Sequence, residues 1–224
     1  MNIAIVGATG NVGRKVLEVL ERKNLPISEI FLVASARSAG SKINFKGKDI
    51  EVENLETFDF SKAKITFFAA GGKISEAYAS KAANHSIVID NSSFYRMDPD
   101  VPLIVPQVNA DDLKNIKKNI IANPNCSTAQ LVLPLKPIHE LFKIKRVVVA
   151  TYQSVSGGGK APMDELVEQT KLALENKKKN VLLVKIALKP LLLTSSTISW
   201  SSVATITSPI LASSAFLDTC EIID

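Results

Sequence analysis

Residues 1–13, MNIAIVGATGNVG, run an apolar stretch directly into three glycines spaced three apart, and a helical apolar pattern, RKVLEVLERK, follows. No other stretch constrains the fold as much. A short buried strand, a tight glycine turn and a helix N-terminus, in that order, form a phosphate cradle. Glycine admits positive φ and close backbone approach, and the amides and dipole of the helix N-terminus favour a pyrophosphate. The expected cofactor-binding residues of this turn are Gly7, Thr9, Gly10, Asn11, Val12 and Gly13. The spacing is GxxGxxG rather than GxGxxG, so glycines that merely make a turn are the alternative.

Further apolar stretches follow: IFLVAS (30–35), KITFFAA (64–70), SIVIDNSS (86–93) and NIIANPN (119–125), with the helical ISEAYASKAANH (74–85) among them. Strands alternating with helices at this spacing predict a parallel, doubly wound sheet. STAQLVLPLKPIHELF (127–142) reads as a helix interrupted by prolines, and RVVVATYQSVSG (146–157) as a strand leaving the first domain.

The second strand ends in SARSAG (35–40). An NAD enzyme usually carries an acidic residue here for the ribose hydroxyls. This chain offers Arg37 flanked by Ser35 and Ser38, donors that suit a 2′-phosphate, and NADP is the expected cofactor. A solvated loop arginine is the alternative. AAGG (69–72) closes the third strand, so Ala70, Gly71 and Gly72 are expected on the pyrophosphate or nicotinamide side.

NPNCSTAQ (123–130) sets Cys126 between a turn and two capping residues, Ser127 and Thr128. At or just before a helix N-terminus, the dipole and amides favour a thiolate. Asn125 adds an amide donor for a substrate oxygen. The alternative is a buried structural cysteine. A thiolate beside an NADP site implies attack on a carbonyl, hydride transfer, and a thioester joining the two half-reactions.

Composition narrows the partners. With 46% apolar and 22% charged residues, the 224-residue chain has material for a real core. The net charge of +5 sits in scattered lysines and in KNIKK and NKKKN, with no interleaved aromatics, so no nucleic-acid partner is expected. A basic balance suits phosphate-bearing ligands. The opening residues show no secretory signal, and Cys126 and Cys220 form neither a disulfide framework nor a metal motif. A cytoplasmic protein without metal is expected. Residues 186–217 hold one charged side chain, Lys189, but their many hydroxyls and Pro209 argue against a membrane span.

GATGNVG, SARSAG, FFAAGG, DNSSFYRMDPDVPLIVPQVN, NPNCSTAQ and TYQSVSGGGK, in that order, resemble the aspartate-semialdehyde dehydrogenases over residues 1–176. The resemblance implies an α/β fold, a Rossmann-type doubly wound parallel sheet followed by an incomplete α+β substrate and dimerisation domain. The boundaries expected are 1–126 for the NADP-binding domain, 127–176 for the start of the second domain, and 177–224 for an atypical tail. The implied reaction is reversible reductive dephosphorylation of aspartyl phosphate by NADPH to aspartate semialdehyde and phosphate. It belongs to amino-acid biosynthesis, leading to lysine through diaminopimelate, threonine and methionine. By the same resemblance Cys126 is the nucleophile and Gln153 positions the acyl group. Arg96 and Asn125 bind phosphate, Ser156 and Gly157 approach the nicotinamide, and the intact family is homodimeric.

The family's histidine base, substrate arginine and ExK motif have no recognisable counterpart here. His139 lies thirteen residues beyond Cys126, about 20 Å along a helix. A shifted reading frame of residues 189–199 permits a family-like segment, and a frameshift near residues 177–188 is the expectation. Weak or absent turnover follows. The alternative is a non-catalytic NADP-binding remnant.

Overall fold

Ile3, Ala4, Ile5 and Val6 are at most 1% exposed, and burial on both faces explains why the first strand, β1 (Asn2–Val6), lacks polar alternation. The computed structural model describes residues 1–23, 25–151 and 154–175, with the backbone of 193–194 and 220–223. β1 leads through the glycine turn to α1 (Asn11–Arg22), which buries Gly13, Leu17 and Leu20 against the sheet. β2 (Glu29–Ala34) returns beside β1 in parallel.

A hairpin follows that the sequence reading does not anticipate, β3 (Lys42–Phe45) and β4 (Lys48–Asn54). Its two-residue loop places Lys46 at φ 50° and Gly47 at φ 78°. Two left-handed residues match the right-handed twist of the flanking strands. Ile43 and Phe45 face the core while Lys42 and Asn44 face water.

The other half of the sheet is β5 (Ile65–Phe68), α2 (Gly72–Ala83), β6 (Ile87–Asp90), a short helix α3 (Pro106–Asn109) and β7 (Ile120–Ala122). α2 buries Ser75, Ala79, Ala82 and Ala83, small residues that let it lie close to the strands. The sheet order is β3-β4-β2-β1-β5-β6-β7, with only β3 antiparallel to its neighbour. Strand order reverses at β1, so a crevice for ligand lies outside the carboxyl ends of β2, β1 and β5.

The chain divides into two compact units, Met1–Asn125 and Cys126–Asp224. The second contains α4 (Cys126–Phe142), β8 (Arg146–Val149) and α5 (Lys160–Leu174). Leu135, Ile144 and Val147 form its buried cluster. β8 pairs antiparallel with the backbones of β9 (Leu193–Thr194) and β10 (Cys220–Ile223). The strand expected over 146–157 is shorter than that. It ends at Val149, and Val155–Gly158 form a 3-10 turn instead. Consecutive glycines at 157–159 offer no side chains to pack on a sheet. The rest of the expected tail lies outside the described residues. No helix among the described residues is long and apolar enough to cross a membrane.

The loop after β6 is tied down by charge. Lys118 Nζ donates to both oxygens of Asp98, at 3.0 and 2.8 Å, and the Asp100 N–H donates to Asp98 Oδ1 at 2.9 Å. The Lys118 hydrogen bonds hold the Asp98 carboxyl below its ordinary range, against an opposing desolvation. A carboxylate depressed in the folded state contributes stability above its unfolded pKa, and loses it as pH falls through the folded value. Asp98→Asn should therefore lower the melting temperature at pH 7 by no more than about 3 °C, the pair being near the surface. The difference should close as pH drops below about 4. Melting curves across that range check this, and a gap independent of pH would remove the ion pair as its cause.

Candidate functional site

The glycine turn is held largely by backbone hydrogen bonds. Gly7 N–H donates to Val33 O at 2.8 Å, Ala8 N–H to the same oxygen at 3.2 Å, and Gly10 N–H to Gly7 O at 3.0 Å. Gly7 sits at φ +86°, and a methyl there would stand 2.8 Å from the Ala69 carbonyl carbon. A methyl on Gly13 would stand 2.2 Å from Gly7 O and 2.8 Å from Ala8 Cα, so α1 begins in backbone contact with the turn. Gly10 is the N-cap and makes no side-chain cap hydrogen bond to the first turn of α1. Asn11 and Val12 are exposed at that turn, and Thr9 is half-buried, its carbonyl accepting from Arg14 Nε at 3.3 Å.

The expected dinucleotide residues of β2 and β5 lie at the carboxyl ends of the same sheet. β2 runs into a tight turn in which the Ser38 N–H donates to Ser35 O at 2.8 Å, leaving Ser35 and Arg37 exposed and Ser38 half-buried. β5 runs into Ala70 and Gly71, both exposed, and Gly72 opens α2. The close approach of Gly7 to Ala69 and Ala70 brings the first and third glycine-bearing stretches together.

Farther along the edge, Arg96 is half-buried in a 3-10 turn, Phe94–Met97. Its Nε donates to Asn123 O at 2.8 Å and its Nη2 to Asn91 O at 3.1 Å. These carbonyls follow β6 and β7, so two strand ends orient one guanidinium. Asn125, half-buried, is the last residue of this unit. Sequence reasoning marked Arg96 through the family resemblance, but not Asn91 or Asn123 as its partners. The signal available was an asparagine just after each of two neighbouring strands.

In the second unit Cys126 is exposed and is the first residue of a 17-residue helix. Thr128 is buried within the first turn, and prolines 134 and 137 lie inside the helix. His139 is on the same helix, thirteen residues on, which excludes direct proton exchange with Cys126. Ser156 and Gly157 lie exposed on the 3-10 turn before α5, and Ser156 Oγ is 2.9 Å from Ser154 Oγ. Gln153 lies outside the described residues. Among the described residues, no three His, Cys, Asp or Glu side chains group as metal ligands.

A family model described as the semialdehyde dehydrogenase NAD binding domain matches residues 2–116, just over half of the 224 residues. The chain belongs to the semialdehyde dehydrogenase family. A second model, the dimerisation domain of the same family, matches residues 135–193 of this semialdehyde dehydrogenase chain. An aspartate-semialdehyde dehydrogenase of Aquifex aeolicus is 53% identical over 178 residues, 78% of this chain and 52% of that one. The solved aspartate semialdehyde dehydrogenase II of Vibrio cholerae, complexed with ASA, superposes with a TM-score of 0.78 at 47% identity, covering 83% of this chain and 56% of the other. A Candida albicans aspartate semialdehyde dehydrogenase with NADP superposes at 0.54 with 30% identity, over 70% and 51% of the two chains. The chain spans about half the length of the curated relatives it matches.

Proposed function

We propose that this chain carries the cofactor-binding and nucleophilic parts of an NADP-dependent aspartate-semialdehyde dehydrogenase. The observation that supports this most is the exposed thiol of Cys126 opening a long helix, in a chain whose first unit holds a backbone-packed glycine cradle. The residues of that cradle fit a dinucleotide. Gly10 makes no side-chain cap hydrogen bond at the helix N-terminus, and Gly7 and Gly13 admit no side chain without backbone clash. Bound there, NADPH would supply the hydride.

The protein's own groups do the rest. The Cys126 thiolate attacks the acyl carbon of aspartyl phosphate, the C–S bond forms, and the C–O bond to phosphate breaks. Arg96 and Asn125 are the proposed ligands of the released phosphate, and Gln153 of the acyl group. The thioester carbon on Cys126 would accept that hydride and the C–S bond would then break, releasing the aldehyde and returning the thiolate. Ser156 and Gly157 would approach the nicotinamide, Ala70, Gly71 and Gly72 the pyrophosphate or nicotinamide side, and Ser35, Arg37 and Ser38 the 2′-phosphate. The proposed domain boundaries are 1–126 for cofactor binding and 127–176 for the start of the second domain, with 177–224 an atypical tail. The intact enzyme would act as a cytoplasmic homodimer, with no nucleic-acid or membrane partner.

Proton transfer groups are typically worth about 10²–10⁴-fold in rate. His139 cannot serve Cys126, so this chain is expected to bind NADPH yet show weak or absent phosphate-dependent reduction of NADP with aspartate semialdehyde. Fluorescence titration with NADPH and a steady-state assay test both halves. No NADPH binding would overturn the reading, and robust turnover would overturn the non-catalytic alternative. Arg37→Ala should weaken NADPH binding by roughly 10- to 100-fold, the worth of a charge-assisted hydrogen bond, with NADH affinity unchanged. Equal losses for both cofactors would remove Arg37 from the 2′-phosphate.

A further inference from the structure

Asp90, the last residue of β6, is fully buried. Its Oδ1 accepts from Ser75 Oγ at 2.7 Å and from the Ser92 N–H at 3.0 Å, and its Oδ2 from Ser92 Oγ at 2.8 Å. A carboxylate out of water needs such donors, and here they fix the turn that begins at Asn91. The Asp90 carbonyl in turn accepts the Asn123 N–H at 2.8 Å, joining this turn to the one after β7. One side-chain bond completes the join, from Asn123 Nδ2 to Asn91 Oδ1 at 2.6 Å.

The joined turns are those whose carbonyls hold Arg96. Guanidinium recognition of phosphate depends on a planar fork in a set orientation. Two carbonyls on separate turns fix that plane only while the turns keep their spacing. We propose that Asn91 and Asn123 are positioning residues for Arg96, linking the two strand ends so that the guanidinium is preset for a phosphate-bearing substrate. This rests on the reading of Arg96 as a phosphate ligand. Asp90 anchors the same link from below, through Ser75 of α2 and Ser92.

The test is titration of the full 224-residue chain with inorganic phosphate, followed by NMR at the backbone amide resonances of the Phe94–Met97 turn that carries Arg96, which every variant retains. Adenosine 2′,5′-bisphosphate is held at saturation, so that the Arg37 end is filled. Asn91→Ala and Asn123→Ala should each raise the phosphate dissociation constant about 10-fold, the scale of a misoriented contact. The double variant should be no worse than either single, because either removes the same bond. Bisphosphate affinity should stay unchanged in both, an outcome that a purely structural role would not give.

Phosphate affinity unchanged in Arg96→Ala, or no phosphate response in the unaltered chain, would overturn the Arg96 reading and the proposal together. Loss of phosphate binding in Arg96→Ala, with both asparagine variants binding normally, would overturn the proposal alone. If one asparagine variant loses bisphosphate binding through misfolding, the other decides. Loss in both assigns the pair to folding and overturns the proposal.

Discussion

Replacing Gly13 with alanine is expected to destabilise the first unit by about 3 kcal/mol, at the upper end of overpacking costs. The reason is the partner of the new methyl. It would stand 2.2 Å from the Gly7 carbonyl oxygen and 2.8 Å from Ala8 Cα, both backbone atoms with no rotamer to escape into. Relief requires α1 to lift from the turn, which would uncover Leu17 and Leu20, at 4% and 6% exposure, from the core. It would also shift the helix N-terminus that the pyrophosphate is proposed to meet. NADPH affinity should therefore fall along with stability. Gly10→Ala makes the contrast, since Gly10 has no left-handed φ and its nearest neighbour would be Gly7 O at 3.3 Å. It should cost less than about 1 kcal/mol, in keeping with a change away from a severe clash. Urea unfolding of both variants measures the pair. A Gly13→Ala midpoint close to that of the unaltered chain would show that α1 does not depend on this contact.

How far the fold could be read from the chain depended on which physical signal each element carries. β1 and α1 were legible because a doubly buried strand reads as unbroken apolar residues and the glycines mark the turn between them. β5, β6 and β7 were legible as short apolar runs although only one face of each is fully buried, and each is shorter in the structure than the stretch read for it. The β3–β4 hairpin was overlooked because only its inner face is apolar, and it lies among lysines and acids that resemble a loop. Its Lys46-Gly47 loop between alternating residues was the available signal. The overlong strand expected at 146–157 came from counting a valine run without weighing the glycines behind it. At the site, residue types with one characteristic chemistry stood out, such as Cys126 and Arg37, while Arg96 was marked only by the family resemblance. Asp90, Asn91 and Asn123 did not, because a brace is defined by partners distant in sequence. Asn91 and Asn123 are 32 residues apart and meet only because β6 and β7 pair.

Cys126→Ser should reduce acylation of the chain by aspartyl phosphate by more than about 10³-fold, while NADPH binding stays intact. The half-reaction needs no reductant. It forms one C–S bond and releases one phosphate, so it isolates the thiol from whatever limits the complete cycle. A serine in the same place keeps the shape but presents an alcohol, a weak nucleophile unless a base takes its proton. His139, the one histidine of its unit, lies about 20 Å farther along α4 and cannot do so. A thiol at the first residue of a helix, by contrast, has the amide dipoles of that helix behind its negative form. Arg96→Ala should slow the same acylation by weakening phosphate binding while leaving the adduct on Cys126. Intact-mass and peptide analysis after timed exposure to aspartyl phosphate reads both effects. The second thiol of the chain, Cys220, is the internal comparison. Modification of Cys220 at the rate of Cys126 would mean ordinary thiol chemistry, and the assignment of Cys126 as nucleophile would fall. Selective loss in Cys126→Ser would leave a chain that can accept the acyl group, and the question would pass to how fast it can be reduced.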